Sequence, residues 1–599
     1  MKLNFKNNFI GYFQFYYNVI GNKLLLNTGL GIMVSFLDGM GLAMFMPLLQ
    51  SVSDTGEMKS SGKSMGKLHF LTDAITSFGF QINLNSILVV LVLLFAVKGG
   101  LKFFQQNGQV QLWFYFMRRI RFALLAQLQG LTYRNFLKLD TGRVQNTLTG
   151  EVGRLNQTVK FYFNAIQSAV MLLTYVALAF LANYQFALIV GVGAGISSLL
   201  YRRIYKSTKS ASMSISKTGN QFNKLITQSI YYFKYLKSTN YFESFSNHIK
   251  NVIRDSEEFN KKMGYNAAIT NSVKEPVIIL IVAGVIYLQV SYMGTMLSTI
   301  LLSLLLFYRA LMSLVLVQNY WQSFIQNSGS MDSVATLYTE MAAGQEHDET
   351  KTYTGFERGI MIADSSFSYD KVKPILDHVN ISIPKNKTVA FVGESGSGKT
   401  TLANILVGLL KPDSGQLLVD DTALNDFNLN TFRNRIGYIS QEAVVFNDNI
   451  YNNITFWAER TPQNIERFNK AVELASLTTF IAGLPDKENT MLGDHGTLVS
   501  GGQKQRISIA RELYKDADIL ILDEATSALD SETERVIQDN IEKLHGTYTM
   551  LIIAHRLSTI KNADTIYLLE QGKVAASGTF DEMVETSERF RRMVELQEV

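Results

Sequence analysis

Residues 393–400 read GESGSGKT and follow a short apolar run. The glycines at 393, 396 and 398 allow consecutive backbone N–H groups to point at one anion, and Lys399 and Thr400 come directly after them. This G-x-x-x-x-G-K-T spacing is typical of a loop that holds nucleotide phosphates, with the lysine on the phosphates and the hydroxyl on a divalent cation. We therefore predict a phosphate site between a buried strand and the helix that follows it.

Three more apolar runs end in polar residues that suit the same chemistry. ILILDE delivers Asp523 to a Mg²⁺ shell, with Glu524 beside it as general base or water-positioning group. Gln441 follows RIGYIS and can reach the metal or the water, although a lone glutamine there is more often a surface residue. His555 follows LIIA and can contact a γ-phosphate, although a lone histidine in this place is usually structural.

A second phosphate-binding backbone is predicted at 498–506, LVSGGQKQR, where a serine and two glycines open a helix. One chain therefore carries two such phosphate sites, at 393–400 and at 500–503.

Composition divides the 599 residues into two kinds of sequence. Hydrophobic residues make up 47% and charged residues 18%, and the long apolar runs lie in the first half. With 0 Cys there is no disulfide, thiol nucleophile or cysteine metal site, and the net charge of +5 indicates no nucleic-acid partner. The first apolar run, Leu24–Leu49, is long enough to span a bilayer, so we expect no cleavable signal peptide.

Six charge-poor stretches can cross a bilayer, which needs about 20 apolar helical residues. Lysines and arginines cluster before the first stretch and at 105–160 and 202–265, which places these sides and the second half of the chain in the cytoplasm. The six predicted spans are approximately 24–49, 84–110, 161–182, 186–206, 270–291 and 295–320.

The pattern predicts a transmembrane domain at 1–325, a polar linker at 326–355 and an α/β domain at 356–599. Helical spacing continues beyond the spans, so we expect long cytoplasmic extensions. Their tips, near Tyr133–Leu139 and Ile230–Leu236, are aromatic and basic, which suits docking onto another domain. The alternative is an amphipathic helix that lies on anionic lipid.

GESGSGKT, SQE, VSGGQKQR, ILILDEATSALD and IIAHRLST, in this order after six spans, resemble the motifs of the ATP-binding-cassette exporters over essentially the whole chain. The resemblance implies a multi-domain membrane protein: a six-helix transmembrane domain with cytoplasmic extensions, then an α/β P-loop nucleotide-binding domain that uses ATP and Mg²⁺. The catalytic residues that it implies are Glu524, His555 and Gln441. The nucleotide-binding residues that it implies are Tyr369, Gly393, Ser395, Gly396, Gly398, Lys399, Thr400, Thr401, Ser500, Gly501, Gly502, Gln503 and Asp530, and the metal ligands are Thr400, Gln441 and Asp523.

In this family the signature sequence of one chain faces the P-loop of a second, so that two ATP molecules lie between two cassettes. A chain with one cassette is then a half-transporter, and we expect a symmetric dimer with two active sites. Val499 stands where leucine is more usual, and Asp494 and His495 replace the usual glutamate and arginine, so the coupling loop departs from the family pattern.

TGEVGRL, ANYQFAL, LLFYRALM and SFLDGMGLAMFMPLL are similar to segments of bacterial lipid-linked oligosaccharide flippases and, more loosely, of lipid A exporters. The resemblance implies a lipid, lipid-linked or amphipathic substrate and a bacterial inner membrane. A multidrug exporter and an ATP-gated channel or regulator are the alternatives, whereas six spans exclude a soluble DNA-repair ATPase. Charged residues in or beside the spans either line a cavity for a phosphate head group or pair with one another, as Asp38 with Lys98; they are Asp38, Lys98, Lys102, Lys274 and Arg309.

Overall fold

A computed structural model of the chain describes residues 3, 5–45, 84–182, 184–291, 297–346, 349–523, 531–554 and 557–597. Within these ranges only the backbone is described at 184–201 and 297–305, and at several positions in 274–290, 531–537 and 557–558. The chain forms two compact units. The helical unit contains 1–131 and 138–345, and the α/β unit contains 132–137 and 346–599.

The first half of the chain is helical, as the apolar runs predict. In chain order the helices are α1 (Phe9–Ile20), α2 (Asn22–Ala43), α3 (Leu84–Gln129), α4 (Tyr133–Phe136), α5 (Thr141–Asn146), a π-helical turn (Thr147–Glu151), α6 (Val152–Ala182), α7 (Tyr184–Tyr231), α8 (Phe233–Ser238), α9 (Phe242–Ser291), α10 (Leu297–Asn327) and α11 (Gly329–Ala343). Of these, α4 packs in the α/β unit.

The predicted helical extensions beyond the spans are present. Helix α3 has 46 residues, and at 1.5 Å per residue it is about 69 Å long, twice the thickness of a hydrocarbon core. Its first half exposes apolar side chains such as Val92 and Leu93, which suits contact with lipid. Its second half buries one face at helical spacing, through Gln105, Gln109, Leu112, Phe116, Ile120 and Leu124. The first half of α3 therefore suits a membrane span, and its second half packs against other helices of the unit.

Three helical segments in the described part of the chain are long and apolar enough to cross a membrane: Asn22–Ala43, Leu84–Gln129 and Thr141–Leu181. They overlap the first three predicted spans, with different bounds. The other three predicted spans fall on α7, α9 and α10, where many side chains are outside the description. The end of the first predicted span and the first outer loop, at 46–83, also lie outside the described residues.

Helix α1 is a short aromatic element at the start of the helical unit. Asn8 caps it by accepting a hydrogen bond from the Gly11 N–H at 2.7 Å, and it ends at Gly21, whose φ of +74° suits glycine. Tyr16 is fully buried and donates to Thr158 Oγ1 of α6 at 2.8 Å. A rigid aromatic cluster thus holds α1 against the long helices.

The α/β unit contains two sheets. Its strands are β1 (Gly359–Phe367), β2 (Leu376–Pro384), β3 (Thr388–Val392), β4 (Ser414–Val419), β5 (Thr422–Ala423), β6 (Ile436–Ile439), β7 (Ile519–Asp523), β8 (Thr549–Ile553), β9 (Thr565–Glu570) and β10 (Lys573–Gly578). The order is β2-β1-β4-β5 in the antiparallel sheet and β10-β9-β3-β8-β7-β6 in the larger one. In the larger sheet every neighbouring pair from β9 to β6 is parallel.

Helices cover the larger sheet. They are α12 (Lys399–Leu406), α13 (Leu429–Arg433), α14 (Ile450–Thr455), α15 (Pro462–Leu474), α16 (Thr478–Ala482), α17 (Gly501–Tyr514), α18 (Ser531–Glu542), α19 (Phe580–Thr586) and α20 (Glu588–Gln597). All five residues of β3 and of β7 are buried, which explains why both read as continuous apolar runs. Because β3, β6, β7 and β8 are parallel, the residues that follow each strand lie at one edge of the sheet.

Candidate nucleotide site

The loop 393–398 connects β3 directly to α12. Gly396 and Gly398 have φ of +83° and +106°, which L side chains rarely adopt. A Cβ at Gly398 would also lie 2.7 Å from Leu376 Cδ2, so the loop has no room for a side chain there. The two glycines therefore set the tight curve that turns the backbone N–H groups toward a common centre.

Lys399 and Ser397 are the buried polar side chains of this loop. Lys399 is 5% exposed, and its Nζ donates to the carbonyl oxygens of Gly393 and Glu394 at 2.8 and 2.9 Å. Ser397 Oγ is buried and has no hydrogen-bond partner in the part of the chain that the structure describes. A buried hydroxyl without a partner is costly unless a ligand satisfies it, and a phosphate oxygen at this loop would do so.

Asp523 ends β7 and is 7% exposed. Its Oδ2 accepts a hydrogen bond from the Tyr438 hydroxyl of β6 at 3.0 Å. Burial raises the pKa of Tyr438 well above its usual value, and the Asp523 carboxylate raises it further. Tyr438 therefore stays protonated at physiological pH and fixes the orientation of the carboxylate as a donor.

The donor set fits Mg²⁺. Thr400 lies at the start of α12, Gln441 follows β6 and Asp523 ends β7, so the three side chains that would hold Mg²⁺ all carry hard oxygen donors. Within the described part of the chain no three His, Cys, Asp or Glu residues cluster to hold a metal. A single carboxylate is a common Mg²⁺ arrangement, because the ion then takes its other ligands from phosphate and water.

Tyr369 lies beside the loop and is 36% exposed. Its ring packs edge-on against Phe367 with centroids 5.0 Å apart, and its hydroxyl is 3.3 Å from Thr401 Oγ1 in α12. One ring face of a half-exposed tyrosine is available for stacking on a nucleobase. Ser395, predicted to belong to the same site, is exposed in the loop.

Helix α4, the tip predicted at Tyr133–Leu139, docks against the loop that follows β1 and carries Tyr369. Arg134 donates to Asp413 Oδ1 at 2.8 Å and to the Ser368 carbonyl at 2.7 Å, and its guanidinium lies 5.3 Å from the Phe367 ring centre. Partial burial alone would raise the pKa of Asp413, but hydrogen bonds from Arg134 and the Ser368 N–H outweigh it and hold the pKa below its usual range. The α4 tip is thereby tied to the backbone next to the nucleotide-site tyrosine.

The second predicted phosphate site opens α17. Ser500 Oγ accepts from the Gln503 N–H at 3.3 Å, while Gln503 Oε1 accepts from the Ser500 N–H at 2.8 Å, which is a complete capping box. The N–H groups of Gly501 and Gly502 have no acceptor among the described residues. Ser500 and Gly501 are exposed, so this helix end faces away from its own unit. The capping box shapes the exposed end and leaves two donors for a ligand.

Three predicted site residues, Glu524, Asp530 and His555, lie outside the described residues. Their assignment therefore remains a prediction from the sequence. The strands that precede Glu524 and His555, β7 and β8, are adjacent and parallel in the sheet, so both chain segments start from the same edge.

Comparison with known proteins decides the family. Residues 28–316 match the ABC transporter transmembrane region, and residues 376–527 match the ABC transporter family. The ATP-dependent lipid A-core flippase of Idiomarina loihiensis is 30% identical over 509 residues, which cover 81% of this chain and 85% of that protein. The chain belongs to the ABC transporter family.

Further relatives extend over most of the transporter. The ATP-dependent lipid A-core flippase of Syntrophus aciditrophicus is 30% identical over 523 residues, covering 85% of each chain. The heterocyst differentiation ATP-binding protein HepA of a Nostoc species is 29% identical and covers 78% of this chain and 77% of its own. A bacterial Atm1-family ABC exporter with ATP bound has a similar fold, with a TM-score of 0.78 at 22% identity over 96% of this chain and 99% of the other. The transporter is therefore an ATPase with the exporter fold, as the motifs predicted.

Two of the charged span residues form a pair. Lys98 Nζ donates to Asp38 Oδ1, and the Tyr175 hydroxyl donates to Asp38 Oδ2. Arg309 lies within electrostatic range of the same carboxylate, while Lys102 is exposed. Of the two alternatives for Asp38 and Lys98, the geometry therefore favours a structural tie between α2, α3 and α6. The side chain of Lys274 is outside the description, so its role stays a prediction.

The TGEVGRL segment forms a buried polar network that sequence inspection did not assign. Glu151 is 3% exposed and ends the π-helical turn. Arg154, in the first turn of α6, donates a hydrogen bond to Glu151 Oε1 at 3.1 Å. Arg154 also donates to the hydroxyls of Ser216 and Ser212 of α7, each at 3.0 Å, and to the Gln326 carbonyl of α10 at 3.3 Å. One ion pair thus links three helices below the spans, which short sequence motifs do not reveal.

Proposed function

We propose that the transporter moves a lipid or lipid-linked saccharide from the inner to the outer side of a bacterial inner membrane. The observation that supports this most strongly is similarity over most of both chains. Two proteins named ATP-dependent lipid A-core flippase align with the chain over 85% of their own length. The alignment includes the membrane half, where cargo must bind.

We infer that the working unit is a pair of identical chains with two composite ATP sites. Each site would combine the P-loop of one chain with the signature helix end of the other. The exposure of Ser500 and the unpaired N–H groups of Gly501 and Gly502 support this arrangement. In each site Lys399 and the P-loop N–H groups would hold the phosphates, and Thr400, Gln441 and Asp523 would hold Mg²⁺, which neutralises phosphate charge. Glu524 would position the attacking water, with His555 on the γ-phosphate.

The second predicted tip supports the same assembly. The segment Ile230–Tyr235 includes exposed aromatic side chains: Tyr231 is 61%, Phe233 53% and Tyr235 62% exposed. A cluster of exposed aromatic rings on a cytoplasmic helix tip suits docking onto another protein surface. The α/β unit of the second chain would supply that surface, and closure of the pair on ATP would move the helix tips.

The cargo is tested by reconstituting the purified chain and measuring which lipid extract raises ATP turnover, with Glu524→Gln as the inactive control. We expect bacterial lipid-linked saccharides or lipid A precursors to raise turnover of the wild-type chain only. If every lipid leaves turnover unchanged while unrelated hydrophobic drugs raise it, the chain is a multidrug exporter. If it instead passes steady ion current in a bilayer recording, it is a channel.

A further inference from the structure

A cleft of about 760 Å³ lies in the helical unit, far along the chain from the nucleotide motifs. Its walls are the start of α1 with the residues before it (7–12), one face of α7 (205–217), and Trp321 and Ile325 of α10. We call it the basic cleft. Its volume falls in the range of pockets that hold ligands of drug or head-group size.

The α7 wall makes the cleft positive. Lys206, Lys209 and Lys217 line it, spaced so that they share one face of the helix. Lys206 and Lys217 have no hydrogen-bond or ion-pair partner within the described part of the chain, whereas Lys209 donates to the Tyr12 hydroxyl at 3.4 Å and is attracted by Asp332. No acidic residue lines the cleft. Lys206 and Lys217 lie about 16 Å apart along the helix axis, so each unpaired ammonium group offers a partner to an anion at its own end of the cleft.

The opposite wall is aromatic. The Phe9 and Trp321 ring centroids lie 6.2 Å apart and those of Tyr12 and Trp321 6.4 Å apart. Phe9 is 52% exposed, whereas Tyr12 is buried and Trp321 partly buried. Met213 of α7 is 48% exposed on the lysine side. The cleft therefore has a cationic side and an apolar side, which is the profile of a site for an amphiphile.

The position of the cleft along α7 places it at the membrane surface. Helix α7 begins at Tyr184, and the segment from Phe161 to Tyr201 carries no charge. The rise from residue 184 to residue 205 is about 32 Å, close to the thickness of a hydrocarbon core. Tyr205 then lies at the inner edge of the bilayer, and the lysines begin where lipid head groups do. Tryptophan and tyrosine are enriched at this same level.

We propose that the basic cleft binds an anionic phospholipid of the inner leaflet, with its phosphate at Lys206 and its acyl chains against Phe9 and Trp321. The inference goes beyond the proposed function, because the bound lipid need not be the cargo and the site does not depend on ATP. A second chain that covered the cleft, or a free phosphate ion that filled it, would be the competing occupants.

Trp321 provides a direct reporter of lipid in the cleft. The chain has 3 Trp, so replacing Trp113 and Trp457 by phenylalanine in the full-length protein leaves Trp321 as the single fluorophore. Phosphatidylglycerol with brominated acyl chains is titrated into the detergent-solubilised protein, and brominated phosphatidylcholine serves as the zwitterionic comparison. We expect saturable quenching at much lower concentration for phosphatidylglycerol.

Lys206 is tested in this single-tryptophan background. Its replacement by alanine is expected to weaken phosphatidylglycerol binding about fivefold, which is the contribution of a lysine near an anionic lipid. The matched control replaces Lys261, which is exposed on α9 outside the cleft, and should leave the affinity unchanged.

Four outcomes would overturn the proposal. Equal quenching by the two lipids, or an unchanged affinity in the Lys206→Ala variant, would show that Trp321 only senses bulk detergent and lipid. Displacement of phosphatidylglycerol by millimolar inorganic phosphate would indicate a plain anion site. Absence of quenching by either lipid, in a preparation that is fully dimeric, would show that the second chain covers the cleft.

Discussion

Replacing Ser500 by alanine separates two roles of one side chain. In the folded chain Ser500 caps α17, with its Oγ 3.3 Å from the Gln503 N–H. Loss of such a cap costs about 1 kcal/mol, which lowers the melting temperature of a domain of this size by about 2–4 °C. If Ser500 also donates to the phosphate of an ATP held by the other chain, a further charge-assisted hydrogen bond worth about 1.5–3 kcal/mol is lost. That corresponds to a fall in ATP turnover of about 10- to 150-fold.

The chain supplies its own control for this experiment. Thr579 caps α19 with a second capping box, in which its Oγ1 lies 3.5 Å from the Glu582 N–H and its N–H lies 2.9 Å from Glu582 Oε2. Both caps are exposed and belong to the α/β unit. We therefore expect Thr579→Ala and Ser500→Ala to shift thermal unfolding equally, while only Ser500→Ala slows ATP turnover. Equal turnover in the two variants would refute a phosphate role for Ser500.

Three further predictions follow from the geometry. Arg134→Ala should leave basal ATP turnover within about twofold but abolish its stimulation by transported lipid. An exposed ion pair contributes little to stability, whereas in the proposed assembly the docked tip transmits the movement of the α/β unit; undiminished stimulation would contradict this. Tyr438→Phe should raise the Mg²⁺ concentration needed for half-maximal turnover by about 10- to 100-fold, since it removes the donor that orients the metal carboxylate, and an unchanged Mg²⁺ titration would show that this bond is dispensable. Arg154→Ala should destabilise the chain by about 3–5 kcal/mol by leaving Glu151 buried without its cation, whereas Arg143→Ala, which breaks a more exposed pair, should cost under about 1 kcal/mol; similar thermal unfolding of the two variants would count against the buried network.

The strand–loop–helix setting of the candidate nucleotide site was predictable because its sequence signals are local. The P-loop glycines, Lys399 and Asp523 all lie within or directly after short apolar strands, and parallel pairing then brings the strand ends together. Helix continuity beyond the spans was also readable, since apolar spacing persists through α3.

Long-range side-chain contacts were not predictable in the same way. The hydrogen bond between Arg134 and Asp413 joins residues 279 positions apart, and the one between Tyr438 and Asp523 joins residues 85 positions apart. No local sequence pattern therefore predicts either pair. The basic cleft likewise joins residues near 7, 209 and 321 that only the packing of α1, α7 and α10 brings together. Tyr438 is half-buried in β6, and its hydrogen-bond partner depends on the order of the strands.

In the proposed dimer each ATP site contains residues of both chains, and mixed dimers test this arrangement. One chain carries Lys399→Ala and the other Ser500→Asp, which keeps a capping residue but places a carboxylate toward phosphate. With different tags on the two chains, tandem purification isolates the mixed pair. Such a pair has one site with both defects and one intact site.

The comparison that decides the matter is a mixed dimer of wild type with a chain that carries both substitutions, Lys399→Ala and Ser500→Asp. If sites are shared, each of its two sites has one defect. The account predicts measurable ATP turnover from the dimer of single variants and none from the dimer of wild type and double variant. The opposite result, an inactive dimer of single variants with turnover retained beside the double variant, would show that each chain builds its site alone.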